Sequence, residues 1–198
     1  MKLTGNCKIS KNGVFLDGEF QKQLQPVDEN WKKEIYSKLA IDYPKFHKMD
    51  ALAKMAFLSV EILTTVSNID KFKDSEIALI FANNSSSQNS DLKYIHSYNV
   101  KGSPSPSLFV YTLPNILTGE LAIRHKWYGE NCFFIEEKFD VEFFLEQVKF
   151  YFKKGAKTCL CGWVNSFEDI EECLVFNIEN KGTNDTILKE QLLTLYNQ

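Results

Sequence analysis

Arginine is nearly missing from this chain: Arg124 is the only one in 198 residues. Guanidinium forks, which grip phosphate and carboxylate bidentately, therefore have almost no raw material. An excess of positive charge is missing too. The formal net charge is −3 and the isoelectric point about 5.7, which argues against a nucleic-acid-binding protein, since such proteins rely on a cationic surface. No run approaches the roughly 20 apolar residues of a membrane span. The opening Met1-Lys2-Leu3-Thr4-Gly5-Asn6 holds no apolar core of a secretory signal. Cysteine is sparse, and Cys7, Cys132, Cys159, Cys161 and Cys173 are odd in number and widely spread, unlike a secreted disulfide framework. The pattern Asn184-Asp185-Thr186 then means little as a glycosylation acceptor, and a reduced, cytoplasmic protein is expected. Gly-x-Gly-x-x-Gly, Walker and Gly-x-Ser-x-Gly motifs are absent, as is any repeat of 20–50 residues.

What is present is a globular composition. Hydrophobic residues make up 44%, aromatics 14%, and phenylalanine alone numbers 16, which excludes a disordered chain. The length favours one domain, or one plus an appendage, and by area scaling such a chain buries roughly 70% of its unfolded surface. Residues Cys7–Ser10 and Val14–Leu16 flank Lys11-Asn12-Gly13 as a hairpin. After a polar stretch containing Pro26, residues Trp31–Ala40 form a short helix. A stronger helix starts after Asp50, its N-cap, with Leu52, Met55, Ala56, Ser59, Leu63 and Val66 at helical spacing. Glu76–Ala82 reads as a buried strand running into the polar, low-complexity Asn83–Ser90, and Ser103–Ser107 is expected to be irregular because of its two prolines. In Leu108–His125, the residues Phe109, Thr112, Leu113, Ile116 and Ala122 fall near one helical face, with Pro114 either kinking that helix or marking its start. Cys132–Ile135 is a short apolar strand. Asp140 caps the best-marked helix: Phe139 and Phe144 make a hydrophobic staple, Val141, Phe144, Leu145, Val148 and Phe152 its stripe, and Lys153-Lys154-Gly155 its end. Strands Thr158–Val164 and Cys173–Ile178 and a terminal amphipathic helix complete the pattern. The alternation predicts an α/β layered fold.

No catalytic constellation stands out. Cys159 and Cys161 share a strand face with Trp163, but without a CxxC pair or clustered histidines they read as core rather than as a zinc or redox site. His47, His96 and His125 are isolated. Ser85-Ser86-Ser87 could be an anion-binding loop, but a flexible turn is the simpler reading. Glu136-Glu137 and the acidic run around Glu168–Glu172 read as solvated faces. No basic patch suited to an acidic partner stands out along the chain. No metal or cofactor is expected.

Several segments together resemble the N-terminal half of the β-ketoacyl synthase family, which has the thiolase fold. Asp42–Thr65 is similar to the family's first long helix with its lead-in, and Ile77–Ala82 to the strand before its glycine-rich loop, here Asn83–Ser87 without glycine. The most specific match is Ser105–Tyr128 (SPSLFVYTLPNILTGELAIRHKWY), carried by Pro106, Phe109, Pro114, Asn115, Gly119 and Glu120. Gly155–Asn165 (GAKTCLCGWVN) resembles a later family strand. The resemblance is strongest over residues 40–180 and implies that 1–198 form a single domain: one half of a thiolase-like fold, a mixed sheet with helices packed on it.

The family's nucleophilic cysteine lies nine residues after a glycine equivalent to Gly129 and seventeen before one equivalent to Gly155; both counts reach Lys138. An amine there cannot take an acyl chain by thioester exchange, and the family's two basic residues and one oxyanion donor belong to a half lying beyond Gln198. The resemblance therefore implies a non-catalytic subunit, similar to the chain-length factors of type II polyketide systems and to truncated relatives in aryl-polyene and flexirubin-type pathways. Such a subunit forms a heterodimer with a full-length β-ketoacyl synthase, meets the acyl carrier protein through that complex, and shapes the acyl tunnel. By this resemblance Cys132, Phe133, Phe134 and Ile135 form the dimer-edge strand, and Phe109, Thr112, Leu113 and Ile116 line or gate the tunnel. The rival readings are a free-standing acyl or carrier-protein binding module and an acyl-thioester hydrolase using Cys132 or Cys161.

Overall fold

The structure, a computed structural model, describes residues 1–182 and 185–198; Asn184 of the acceptor-like pattern lies outside the described residues. The chain opens with a hairpin, β1 (Lys2–Ser10) against β2 (Gly13–Leu16), in the register Ile9↔Val14 and Ser10↔Gly13, and adds a two-residue strand β3 (Glu19–Phe20). Helix α1 (Trp31–Lys38) and a 3-10 turn (Pro44–Lys48) lead to α2 (Ala51–Thr64). Asp50 starts α2 as expected: its carboxylate accepts from the Ala53 amide at 2.8 Å, giving one of the unsatisfied N–H donors at the helix start its missing acceptor. Next come β4 (Ile77–Asn83), α3 (Gln88–Lys101), α4 (Pro106–Val110), α5 (Ile116–His125) and β5 (Asn131–Ile135). The order finishes with α6 (Val141–Lys153), β6 (Thr158–Phe167), β7 (Ile170–Glu179) and α7 (Asp185–Asn197).

All strands join one mixed sheet in the order β3-β2-β1-β7-β6-β4-β5. β4 runs parallel to both β5 and β6, and the other pairings are antiparallel. Strand alternation sends neighbouring side chains into two different cores. Leu79, Phe81, Leu160 and Val164 pack with Trp31, Phe46, Phe57 and Trp127 under α1, α2 and α5. Ala78, Ile80, Cys159, Cys161 and Trp163 pack with Phe144, Val148, Leu188 and Leu192 under α6 and α7. With helices on both faces, β4 and β6 are almost entirely buried, which explains their near-continuous apolar sequence. Gly162 is required by packing, because a Cβ there would stand 2.2 Å from the Phe81 ring.

The α6 signals hold. Asp140 accepts from the Glu142 and Phe143 amides, the Phe139 and Phe144 rings meet at 5.7 Å, and Gly155 stops the helix with φ +112°. Helix α3, for which no expectation stood, begins at Gln88 inside the polar Asn83–Ser90 stretch. Two expectations are corrected. The Ser103–Ser107 stretch is not wholly irregular, because Ser105 caps α4 and Pro106 is its first residue, where a missing N–H costs nothing. Finally, Pro114 marks a helix start, one of the two expected alternatives, with α5 beginning at Ile116; the short α4 ends before it across Tyr111–Asn115, so the expectation that Phe109, Thr112, Leu113 and Ile116 share a helical face is corrected.

Candidate functional site

Strand β5 is the last strand on its side of the sheet. Its ladder to β4 begins with the Leu79 amide donating to the Glu130 carbonyl and ends with the Glu136 amide donating to the Asn83 carbonyl, each at 2.8 Å. By the alternation of a parallel ladder, Cys132 and Phe134 turn their backbone groups to β4, whereas Asn131, Phe133 and Ile135 turn theirs to the open edge. The side chains divide likewise. Cys132 and Phe134 lean on the α6 side of the sheet, Phe133 leans on the α5 side, and Ile135 is exposed. An apolar strand with a free row of donors and acceptors is a template for another strand.

Lys138 follows β5 on the surface, two residues before the α6 cap. An ammonium so close to a helix N-terminus meets the positive end of the helix dipole, a mildly unfavourable position for a cation and the reverse of what a thiolate enjoys. The thiols offer no substitute. Burial pushes Cys161 and Cys159 well up, and Cys132 is raised by burial as well, against a hydrogen bond with Tyr151. Raised thiols stay protonated and are poor nucleophiles, which removes support from the hydrolase reading. Among the described residues no group of three or more His, Cys, Asp or Glu could hold a metal ion.

The residues expected at a tunnel gate form the corner between α4 and α5. Phe109 and Leu113 are each more than half exposed, and Ile116 is half-buried against the core beneath α2. The corner is held from three sides. Ser87 Oγ donates to the Thr112 carbonyl at 2.7 Å, and the Tyr111 hydroxyl donates to Glu120 Oε1 at 3.2 Å. Lys45 then pairs with Glu120 Oε2 at 2.8 Å. Burial and the Glu120 carboxylate push the Tyr111 hydroxyl well above its usual value, so it remains a donor. Ser87 and Ser90 of the polar stretch are therefore fasteners: Ser90 Oγ also donates to Asp50 at 2.6 Å, tying α3 to the start of α2. Beside this corner α3 exposes Leu92, Ile95, Tyr98 and Val100.

Sequence reading missed one constellation entirely. Lys32, Lys33, Lys48, Lys54 and Lys93 line a single pocket, although the chain shows no run of basic residues. A larger cleft of about 650 Å³, lined by Tyr128, Asn131, Tyr151 and Lys154 among others, opens at the N-terminal ends of β4 and β5. It is at the opposite end of β5 from Lys138, whereas open parallel sheets bind ligands beyond their C-terminal strand ends.

No protein-family model and no curated protein matches the sequence. Solved structures do match. A chain of the ketosynthase (ApeO) in complex with its chain length factor (ApeC) from Xenorhabdus doucetiae gives a TM-score of 0.64 at 11% identity, covering 91% of this chain and 79% of that one. A chain of the ishigamide ketosynthase/chain length factor gives 0.69 at 15%, covering 92% and 63%. A chain from AntDE:AntF, a type II PKS acyl-carrier protein in complex with its ketosynthase bound to the hexaketide, gives 0.59 at 14%, covering 95% and 63%. The mixed α/β sheet is thus the thiolase-like fold of ketosynthase and chain-length-factor chains, and this chain spans less than two thirds of the length of the last two. No helix among the described residues is long and apolar enough to cross a membrane.

Proposed function

We propose that this chain is a non-catalytic, chain-length-factor-like subunit that pairs with an active ketosynthase in polyketide-type or fatty-acid-type elongation. The observation that carries the reading is β5: an apolar edge strand, with the backbone groups of Asn131, Phe133 and Ile135 facing outward, in a fold shared with ketosynthase and chain-length-factor chains. Cys132–Ile135 is the strand that meets the partner, and Phe109, Thr112, Leu113 and Ile116, at the α4–α5 corner, touch the growing acyl chain or its gate. Lys138 in place of a nucleophile makes the subunit a shaper of the tunnel rather than a catalyst, and the partner supplies the thiolate. An acyl carrier protein is met through the complex. The setting is cytoplasmic, in keeping with five free cysteines.

The test is affinity capture of the tagged chain from its native host, with mass spectrometry of what accompanies it. A full-length ketosynthase in near-equal amount is the expected result. The variant Phe133→Pro removes an outward N–H while leaving the bonds to β4, a position where an edge strand tolerates proline; it should keep the fold and lose the partner. A clean monomer or homodimer without ketosynthase would make the pairing untenable.

A further inference from the structure

Five lysines from four separate stretches converge on one open pocket of about 320 Å³ beside the start of α2. Lys32 and Lys33 come from α1, Lys48 from the 3-10 turn, Lys54 from the first turn of α2 and Lys93 from α3. Among the described residues only Glu29 and Asp50 bring carboxylates to its lining. Asp50 is already engaged by the Ala53 amide and Ser90 Oγ, and Lys32 by Glu171. The ammonium groups of Lys33, Lys48 and Lys93 make no hydrogen bond or ion pair among the described residues, and Lys54 Nζ rests 5.8 Å from the Phe46 ring.

Gathering like charges costs free energy, more so where water is partly excluded. Lys54 records that cost: burial first, then Lys33, with further contributions from Lys32 and Lys93, pulls its ammonium below the usual value, against the opposing pull of Asp50. The concentration is local, since the whole chain carries −3. The α2 N-terminus adds its partial positive charge at Ala51. Lysines act on phosphate as point charges and need no fork geometry, which suits a chain with one arginine. Ser90, Ser107 and Tyr111 add hydroxyls to the wall.

We propose that this pocket binds a phosphate-bearing anion of two or more negative charges, held by Lys33, Lys48, Lys54 and Lys93. Its size admits a diphosphate-sized group, and the four ammonium groups not held by Glu171, set against two carboxylates, leave an excess of positive charge that such a group neutralises. The proposal does not depend on pairing through β5. Two sources share the chemistry: a free diphosphate ester, or a phosphate on an arm tethered to another protein.

The probe is pyrophosphate, titrated calorimetrically into the full chain at 50 mM and 150 mM salt. Saturable binding is expected at both, weaker at the higher salt. The double variant Lys33→Ala/Lys93→Ala, exposed on α1 and α3, should weaken it at least tenfold with unchanged thermal unfolding. Lys11→Ala/Lys153→Ala, which alters net charge equally at distant exposed sites, should leave it unchanged. Displacement of pyrophosphate by a nucleoside diphosphate assigns the free source; displacement by a carrier protein bearing its phosphorylated arm, but not by the arm-free carrier, assigns the tethered one. Absence of saturable binding, or equal weakening in both double variants, would overturn the proposal.

Discussion

At the scale of single residues, a titratable side chain largely withdrawn from water beside charged neighbours marks where the fold is sensitive to pH. His125, at the end of α5, stacks on Trp127 with ring centroids 4.2 Å apart and has Nε2 3.3 Å from Glu61. Arg124 occupies the same carboxylate at 2.8 Å, and Trp127 donates to Asp70 at 3.1 Å. Burial lowers the His125 pKa; Glu61 opposes that, Arg124 reinforces it and Asp70 opposes it again. Because the folded value lies below the unfolded one, about 6.5, the unfolded chain takes up the proton first as pH falls. The neutral-histidine stability is therefore present above about pH 6.5 and is lost progressively below it. His125→Phe keeps the stacked ring and removes the titration. Thermal unfolding at pH 7.5 and 5.5 should show the wild-type chain losing more stability on acidification than the variant. An equal loss in both would mean that His125 is not held neutral.

At the scale of elements, legibility follows from which face carries the information. α6 could be read because its cap, staple and stripe all point one way. β4, β6 and β7 could be read because burial on both sheet faces leaves an apolar run. α3 could not, because its periodicity is inverted: Ser90 and Ser97 are its buried residues, while Leu92, Ile95, Tyr98 and Val100 face outward, so no apolar stripe announces it. The lysine pocket was hidden for a different reason, since Lys48, Lys54 and Lys93 join Lys32-Lys33 only after α1, the 3-10 turn, α2 and α3 pack. Strand β5 was visible as CFFI, but its place at the sheet edge came with the resemblance and not with the residues. At the α4–α5 corner the break at Pro114 changes how a gate would work. Four side chains on one rigid helix would move together, whereas here Phe109 lies on α4, Thr112 and Leu113 in the turn, and Ile116 on α5. In the proposed complex with a ketosynthase, Leu113→Trp should then alter product length more than Ile116→Trp, because Leu113 is 53% exposed in the turn whereas Ile116 packs against the core. Mass analysis of products from intact complexes checks this, and unchanged lengths for both variants would sink the gating role.

At the scale of the whole molecule, the two cores share one sheet, and the sharing should make them a single cooperative unit. Each central strand contributes alternate residues to both sides, so β6 cannot lose Cys159, Cys161 and Trp163 from the α6–α7 layer while keeping Leu160 and Val164 against α2. The tryptophans report on each side separately: Trp31 and Trp127 lie in one core and Trp163 in the other. With 5-fluorotryptophan incorporated at all three, their fluorine resonances should lose native intensity at the same urea concentration, as two-state unfolding demands of different probes. A lesion on one side sharpens the argument. Leu192 of α7 is fully buried, and Leu192→Ala should cost about 2–5 kcal/mol from lost burial and the cavity left behind. If the sheet couples the layers, the Trp31 and Trp127 midpoints fall as far as that of Trp163, although neither residue is in the layer that was damaged. A drop confined to Trp163 would show instead that the α6–α7 layer opens by itself, leaving the α1, α2 and α5 side folded on the sheet.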